Sequence, residues 1–130
     1  MDPLSIIASS LTLAATAKAG LNILIQLLGA KSELCALNNE LSDLEVVLQQ
    51  ASQLFGDDQI KLDDHPELSV VANSTLRKLQ DLKREVEEWN LQLRQKRRKI
   101  VKTLPKLKSF RTTLQSLRLQ LIAVLSACTT

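Results

Sequence analysis

The residues of this chain best suited to chemistry are cations gathered in one short stretch. Nine Lys and Arg residues fall within residues 94–111, and residues 89–130 carry ten bases and no acid, whereas residues 1–88 carry all 14 acids and seven bases. Complementing a helix dipole takes only one or two charges. Two interpretations remain open: a solvated helix end, or a site that attracts anionic lipid. The lipid-binding hypothesis assigns Arg94, Lys96, Arg97, Arg98, Lys99, Lys102, Lys106 and Lys108.

Nucleic acid is the other anionic partner that such a cluster could bind. The cluster holds no aromatic residue that could stack on bases except Phe110, which falls on an apolar stripe, and it matches no nucleic-acid-binding motif. A membrane surface accounts for both the basic cluster and the apolar N-terminal segment, whereas nucleic acid accounts only for the cluster. The sequence therefore favours anionic lipid over nucleic acid.

The sequence contains few residues in patterns typical of catalytic sites. Its lone histidine, His65, follows a polar run and precedes Pro66, where a solvated or capping role is expected. The chain has no Tyr, no G-x-S-x-G, no Gly-rich phosphate loop and no H-E-x-x-H. We expect a protein that is not an enzyme and has no small-molecule substrate.

Metal and cofactor sites are not expected either. Cys35 and Cys128 have no His or further Cys at ligand spacing, and their apolar-stripe positions predict buried free thiols. The four aspartates within residues 57–64 lack the D-x-D-x-D-G spacing and the terminal Glu of a calcium loop. We therefore expect no cofactor.

Residues 1–28 form an apolar segment that contains one base, Lys18, and one acid, Asp2, and is long enough to cross a bilayer. Its acidic start and the lack of a small-residue cleavage site argue against an export signal. Asp2 as a cap and Pro3 as the first helical residue predict a helix from the outset. Apolar residues cover nearly every face, but seven Ser, Thr, Asn and Gln residues disfavour a permanent span. A buried bundle helix is favoured.

Three further segments repeat apolar residues every three or four positions, as amphipathic helices do. Gly29 is placed to end the first helix and Ser32 to cap the second. The predicted helices cover about residues 3–28, 32–55, 66–94 and 105–127. The sequence therefore predicts an all-α fold over one domain, residues 1–130: a four-helix up-down bundle with an apolar N-terminal central helix.

The apolar stripes predict one shared core. Its expected members are Leu11, Ile25, Leu41, Leu44, Leu79, Trp89, Leu117 and Leu121. Lys18 interrupts the stripe of the first helix, so its ammonium must reach the bundle edge or an acid, with Glu40 and Asp43 as candidates. Pro105 fits the first turn of the fourth helix or a kink in a longer helix from near Lys99.

The opening of the chain resembles a known family. Residues 1–9, MDPLSIIAS, and the Ala- and Leu-rich stretch 11–19 resemble the N-terminal domain of fungal STAND-type receptors and the related HeLo-like cell-death domains. Residues 37–44, LNNELSDL, resemble that family's second helix, and the basic cluster resembles its Lys/Arg-rich region. The resemblance spans nearly the whole chain and implies a four-helix bundle.

The resemblance implies a role in fungal non-self recognition, heterokaryon incompatibility and programmed cell death. In that family the N-terminal helix leaves the bundle to attack membranes, which assigns insertion to Leu4, Ile6, Ile7, Leu11 and Leu13. The implied partners are anionic membrane lipids, with other helical signalling domains or further copies of the chain on activation. The implied location is the cytoplasm and then the inner face of the plasma membrane.

The resemblance also leads us to expect the N-terminal part of a longer protein. An alternative remains open within the same family. The domain would then be an adaptor that binds another helical domain and never enters lipid, since a bundle of this kind can serve either role.

Overall fold

A computed structural model describes residues 3–29, 31–56, 65–95 and 104–129. It contains four α-helices: α1 (Pro3–Leu28), α2 (Ser32–Gly56), α3 (Pro66–Gln95) and α4 (Leu104–Thr129). No strand occurs within these described ranges. The predicted all-α fold and four-helix bundle are confirmed, and the helix bounds differ from the predicted ones by at most two residues. Pro105 lies in the first turn of α4, and the alternative start near Lys99 falls outside the described residues.

The turn between α1 and α2 depends on Gly29, whose φ of 88° is a conformation that other residues adopt only with strain. The Lys31 N–H donates to the Gly29 carbonyl at 2.8 Å, and the Cys35 N–H donates to the Lys31 carbonyl at 3.0 Å. The second bond is the first of α2, so Lys31 occupies the cap position and Ser32, the predicted cap, is the first helical residue.

The helices occupy the four corners of a bundle. α1 packs against α2 and α3, and α4 packs against the same two helices, so α1 lies diagonally across from α4. The predicted apolar N-terminal helix, α1, therefore occupies one corner of the bundle. Up to residue 22, the exposed positions of α1 hold small, hydroxyl or amide side chains, which can lie in water. The Thr12 and Thr16 hydroxyls donate to the Ala8 and Thr12 carbonyls.

Six of the eight predicted core residues are buried: Leu41, Leu44, Leu79, Trp89, Leu117 and Leu121. Leu11 and Ile25 are only partly buried against the core, which corrects the prediction. Ala14, Ala17 and Leu24 take the buried positions of α1 instead. The reason is that α1 is apolar on nearly every face, so spacing alone does not select the face that packs.

Trp89 anchors the contact between α3 and α4. It is 1% exposed, and its ring meets Phe110 edge to face, with 6.4 Å between ring centroids and an interplanar angle of 80°. Edge-to-face pairs contribute about 0.5–1.5 kcal/mol beyond the area they bury. Since the chain has one Trp, its fluorescence reports on this contact alone.

Leu44→Ala is expected to lower the free energy of unfolding by about 2–5 kcal/mol, because it empties a fully buried site in the core. Leu117→Ala should fall within the same range. Urea unfolding followed by circular dichroism measures both. Leu119→Ala is the matched control, since Leu119 is 53% exposed and its loss should cost about 0.5 kcal/mol or less. A Leu44→Ala variant as stable as the control would contradict this core.

Candidate membrane-binding site

Few of the residues assigned to lipid binding fall in the described part of the chain. Lys106 and Lys108 are exposed in the first turns of α4. Arg94 lies in the last turn of α3, but its side chain is outside the described residues. The other five positions, Lys96, Arg97, Arg98, Lys99 and Lys102, lie wholly outside them.

One cation of the cluster, Lys106, forms an ion pair with an acid of the bundle. The Lys106 ammonium lies 3.3 Å from a Glu85 carboxylate oxygen of α3, and the Lys106 side chain is 60% exposed. An ion pair this exposed contributes about 0–1 kcal/mol to stability. Nearby, the Lys78 ammonium lies 4.6 Å from the centre of the Phe110 ring. The described acids of this region therefore offset little of the ten-base excess of residues 89–130.

The hairpins of the bundle are antiparallel. Along α1 and α2, Lys18 pairs with Glu45, and Asn22, further along α1, pairs with the earlier residue Asn38. Along α3 and α4, Lys106 of the first turns of α4 reaches Glu85 in the C-terminal half of α3. The end of α1 therefore lies with the start of α2, and the end of α3 with the start of α4.

The direction of α3 relative to α1 follows from chain length. The Asn90 amide of α3 donates to the Gly20 carbonyl of α1, which fixes the relative height of the two helices. Residues 57–65 can span about 35 Å at most between Gly56 and Pro66. If α3 ran opposite to α1, Pro66 would lie 24 residues beyond Gly20 along α1, and Gly56 lies about 13 residues before Gly20, so the separation would be about 55 Å at 1.5 Å per residue. α3 therefore runs parallel to α1.

One end of the bundle thus holds the C-termini of α1 and α3 and the N-termini of α2 and α4. We call it the basic end, because the segment 94–108 is attached there and the exposed Lys31 of the first turn lies there too. Sequence reasoning left Lys31 out of the cluster, since it is 63 residues from Arg94 in the chain. Only the packing of α1 beside α3 brings them to the same end.

The residues assigned to membrane insertion lie in the half of α1 away from the basic end, and Leu4 is nearest the opposite end. Ile6 and Ile7 are buried, and Leu4, Leu11 and Leu13 are partly buried against the core. Leu4 and Leu28 are 24 residue steps apart, which correspond to about 36 Å of helix. The start of α1 is therefore separated from the basic end by most of the length of the bundle, and the bundle covers Ile6 and Ile7.

An ion pair and an amide hydrogen bond join α1 to α2. The Lys18 ammonium lies 3.0 Å from a Glu45 carboxylate oxygen of α2, and the Asn38 amide donates to Asn22 at 3.3 Å. The predicted partners of Lys18 were Glu40 and Asp43, so the helix was right and the acid wrong. The reason is that Glu40 faces α4, where another cation binds it.

α1 and α3 approach each other closely at Gly20. The Asn90 amide donates to the Gly20 carbonyl at 3.3 Å and to the Val86 carbonyl of its own helix at 3.1 Å. A Cβ atom at position 20 would clash with Cγ1 of Val86, which is buried and branched at Cβ. Glycine is therefore required here by packing, although it lowers intrinsic helix stability.

Gly20→Ala is expected to lower the free energy of unfolding by about 1–3 kcal/mol, because the new methyl group overpacks the α1–α3 contact. The usual effect of this change inside a helix is a gain of about 1 kcal/mol, so the expected sign is reversed. Urea unfolding measures it. Gly56→Ala is the control, since a Cβ there meets no atom within 4 Å. Adding Val86→Ala to Gly20→Ala should remove the clash, and a stabilised Gly20→Ala variant would contradict the packing.

The best-formed ion pair of the described residues was missed by sequence reasoning. The Arg118 guanidinium of α4 donates to Glu40 of α2 at 2.7 Å, and the two side chains are 20% and 10% exposed. This hydrogen bond raises the pKa of Arg118, which keeps the cation charged. The pair fixes α4 against α2, and its only sequence signal is two opposite charges on otherwise apolar faces.

The remaining candidate side chains are dispersed. Cys35 and Cys128 are free and half-buried, at opposite ends of the bundle, and burial raises the pKa of the Cys128 thiol. The His65 carbonyl accepts the first hydrogen bond of α3, at the helix start, and its ring lies 3.6 Å from Glu67. Within the described ranges no three His, Cys, Asp or Glu side chains converge to hold a metal. The aspartates of residues 57–64 lie outside those ranges.

By length and composition, Leu4–Leu28 is the one helix of the described chain that could cross a membrane. No family model matches this chain, and no curated protein and no solved structure is significantly similar to it. The resemblance to HeLo-like domains therefore remains a prediction from the residues.

Proposed function

We propose that this domain is a cell-death effector of fungal non-self recognition that binds anionic membranes through its basic end and then inserts α1. The observation that carries the proposal is the combination, in one bundle, of a helix apolar enough to cross a bilayer and an end with a large excess of cations. The helix supplies hydrophobic length, and each cation near an anionic surface contributes about 1 kcal/mol. In this proposal the domain is cytoplasmic and moves to the inner face of the plasma membrane.

The corner position of α1 supports its release. α1 packs on α2 and α3, and these two helices are also joined through α4. Removing α1 therefore leaves the other three helices in one connected set. The polar contacts that must break include the Lys18–Glu45 ion pair, the Asn22–Asn38 hydrogen bond and the Asn90 bond to Gly20. None of them is a fully buried charge pair, whose rupture would be far more costly.

The separation of the two candidate sites divides the activity into two steps. Leu4 lies about 36 Å along the helix from Leu28. When the basic end meets the membrane, Leu4 is therefore too far from the bilayer to enter it. Insertion therefore requires the bundle to open, so that Ile6 and Ile7 exchange the protein core for the lipid core. Docking requires no opening and can be measured separately.

A second candidate function is a helical adaptor without membrane activity. Exposed apolar side chains away from the basic end favour it: Val70 is 66% exposed, Leu119 53% and Ile122 38%. Such residues can pack against another helical domain. This candidate predicts no affinity for lipid.

Sedimentation with vesicles tests the proposal. We expect the domain to bind vesicles that contain phosphatidylserine and not vesicles of phosphatidylcholine alone. Raising the salt from about 0.1 M to 1 M should release most of it, because the Debye length falls from about 10 Å to 3 Å. Equal binding to both vesicles, or binding to neither, would reject the electrostatic step and favour the adaptor.

A further inference from the structure

Three apolar side chains are exposed near the basic end of the bundle. Ile23 of α1 is 45% exposed, Leu27 of the same helix 61%, and Leu91 of α3 50%. Ile23 and Leu91 line a groove of about 300 Å³ between α1 and α3. Leu27 lies one turn beyond Ile23 toward the end of α1. Because α1 and α3 run parallel, all three residues are within two turns of their helix C-termini.

The charges around these residues suit one kind of partner. Lys31 follows Leu27 by four residues and is exposed, and Arg94 follows Leu91 by three residues in α3. Glu87, the acid of the groove, is paired with Lys83 at 3.6 Å, and Glu85 is paired with Lys106. Glu88 accepts a hydrogen bond from Gln92, which is uncharged, and Glu33 lies two residues after Lys31 in the first turn of α2. The segment 94–108 nevertheless adds eight cations and no acid, so cations are in excess at this end. Exposed apolar residues at an end of the bundle with an excess of cations fit the interface of an anionic bilayer, where the acyl chains lie below the phosphates.

We propose that Ile23, Leu27 and Leu91 are apolar anchors with which the folded bundle enters the headgroup region of an anionic membrane while α1 stays packed. This inference rests on the proposed function, since it describes its docking step. It differs from the family role given to α1, because the anchors lie at the C-terminal end of α1 and act without release. The cations attract the bundle, and the anchors add the burial of apolar area to its binding.

The test compares two triple variants in binding to phosphatidylserine vesicles. Ile23→Gln, Leu27→Gln and Leu91→Gln together should weaken binding about tenfold or more, since less apolar surface enters lipid. The matched control is Val46→Gln, Val70→Gln and Leu119→Gln, whose side chains are 53%, 66% and 53% exposed and lie about 20 Å or more from the basic end. The control should bind like the unchanged chain. Circular dichroism should show equal helix content in all three proteins.

Trp89 reports whether the bundle stays closed on docking. Its indole is buried against Phe110, so emission should not shift when the unchanged chain binds vesicles under conditions without dye release. An anchor variant that binds like the unchanged chain would overturn the inference and leave charge-driven docking intact. Equal weakening by the control variant, or a Trp89 shift on docking, would overturn it as well. If the unchanged chain binds no vesicle, both this inference and the proposed function fail.

Discussion

Replacing Arg97, Arg98, Lys99 and Lys102 by glutamate is expected to abolish binding to phosphatidylserine vesicles and to leave helix content unchanged. Each cation near an anionic surface contributes about 1 kcal/mol, so the four together contribute about 4 kcal/mol. That free energy corresponds to roughly a thousandfold in affinity, and the four new negative charges add repulsion. Sedimentation with vesicles measures the loss. Helix content should persist because all four residues belong to the segment between α3 and α4.

A smaller pair of variants separates local charge from net charge. Arg97→Glu with Arg98→Glu changes the net charge as much as Arg77→Glu with Arg84→Glu, two exposed positions in the body of α3. The first pair should weaken vesicle binding by about tenfold or more and the second far less, because screening limits attraction to about 10 Å. Equal losses would show that net charge, and no particular end of the bundle, governs binding.

The helices and most of the core were predictable from sequence because three of the four stripes are unambiguous. In α2, apolar residues such as Leu37, Leu41, Leu44 and Leu48 alternate with acids, so one face must pack. α1 has no such single apolar face, and Leu11 and Ile25 were wrongly predicted to be deeply buried. Its packing face is selected by small residues, since Ala17 and Gly20 let α3 approach closely. Both residues have low hydrophobicity, so a hydrophobic pattern does not identify this face.

The candidate site was only partly predictable, because its parts come together through the topology. The basic cluster is visible as a run of residues, but its meeting with Lys31, Ile23 and Leu27 depends on α1 lying parallel to α3. The partner of Lys18 was misassigned for a related reason. Spacing places several acids of α2 near α1, and the pairing of Glu40 with Arg118 leaves Glu45 as the partner.

Two alanines on the outer face of α1 allow its insertion to be tested without disturbing the fold. Ala8 and Ala15 are exposed, so an aspartate at either position meets water in the bundle. Within a bilayer-spanning α1 the same aspartates would lie in lipid, at a cost of about 2.5–3.5 kcal/mol each near its centre. Gln115→Asp with Ala123→Asp is the matched control, since both positions are exposed on α4 and add the same charge.

Dye release from phosphatidylserine vesicles tests membrane insertion of α1 most directly. We expect the unchanged chain and the α4 control to release the dye, and the Ala8→Asp, Ala15→Asp variant to bind the vesicles with at least tenfold slower release. Circular dichroism and the Trp89 emission before lipid is added establish that each variant is folded. Release by the α1 variant at the rate of the control would contradict insertion of α1. An unchanged chain that is folded yet neither binds nor empties the vesicles would contradict membrane action by this domain alone and leave the adaptor in its place.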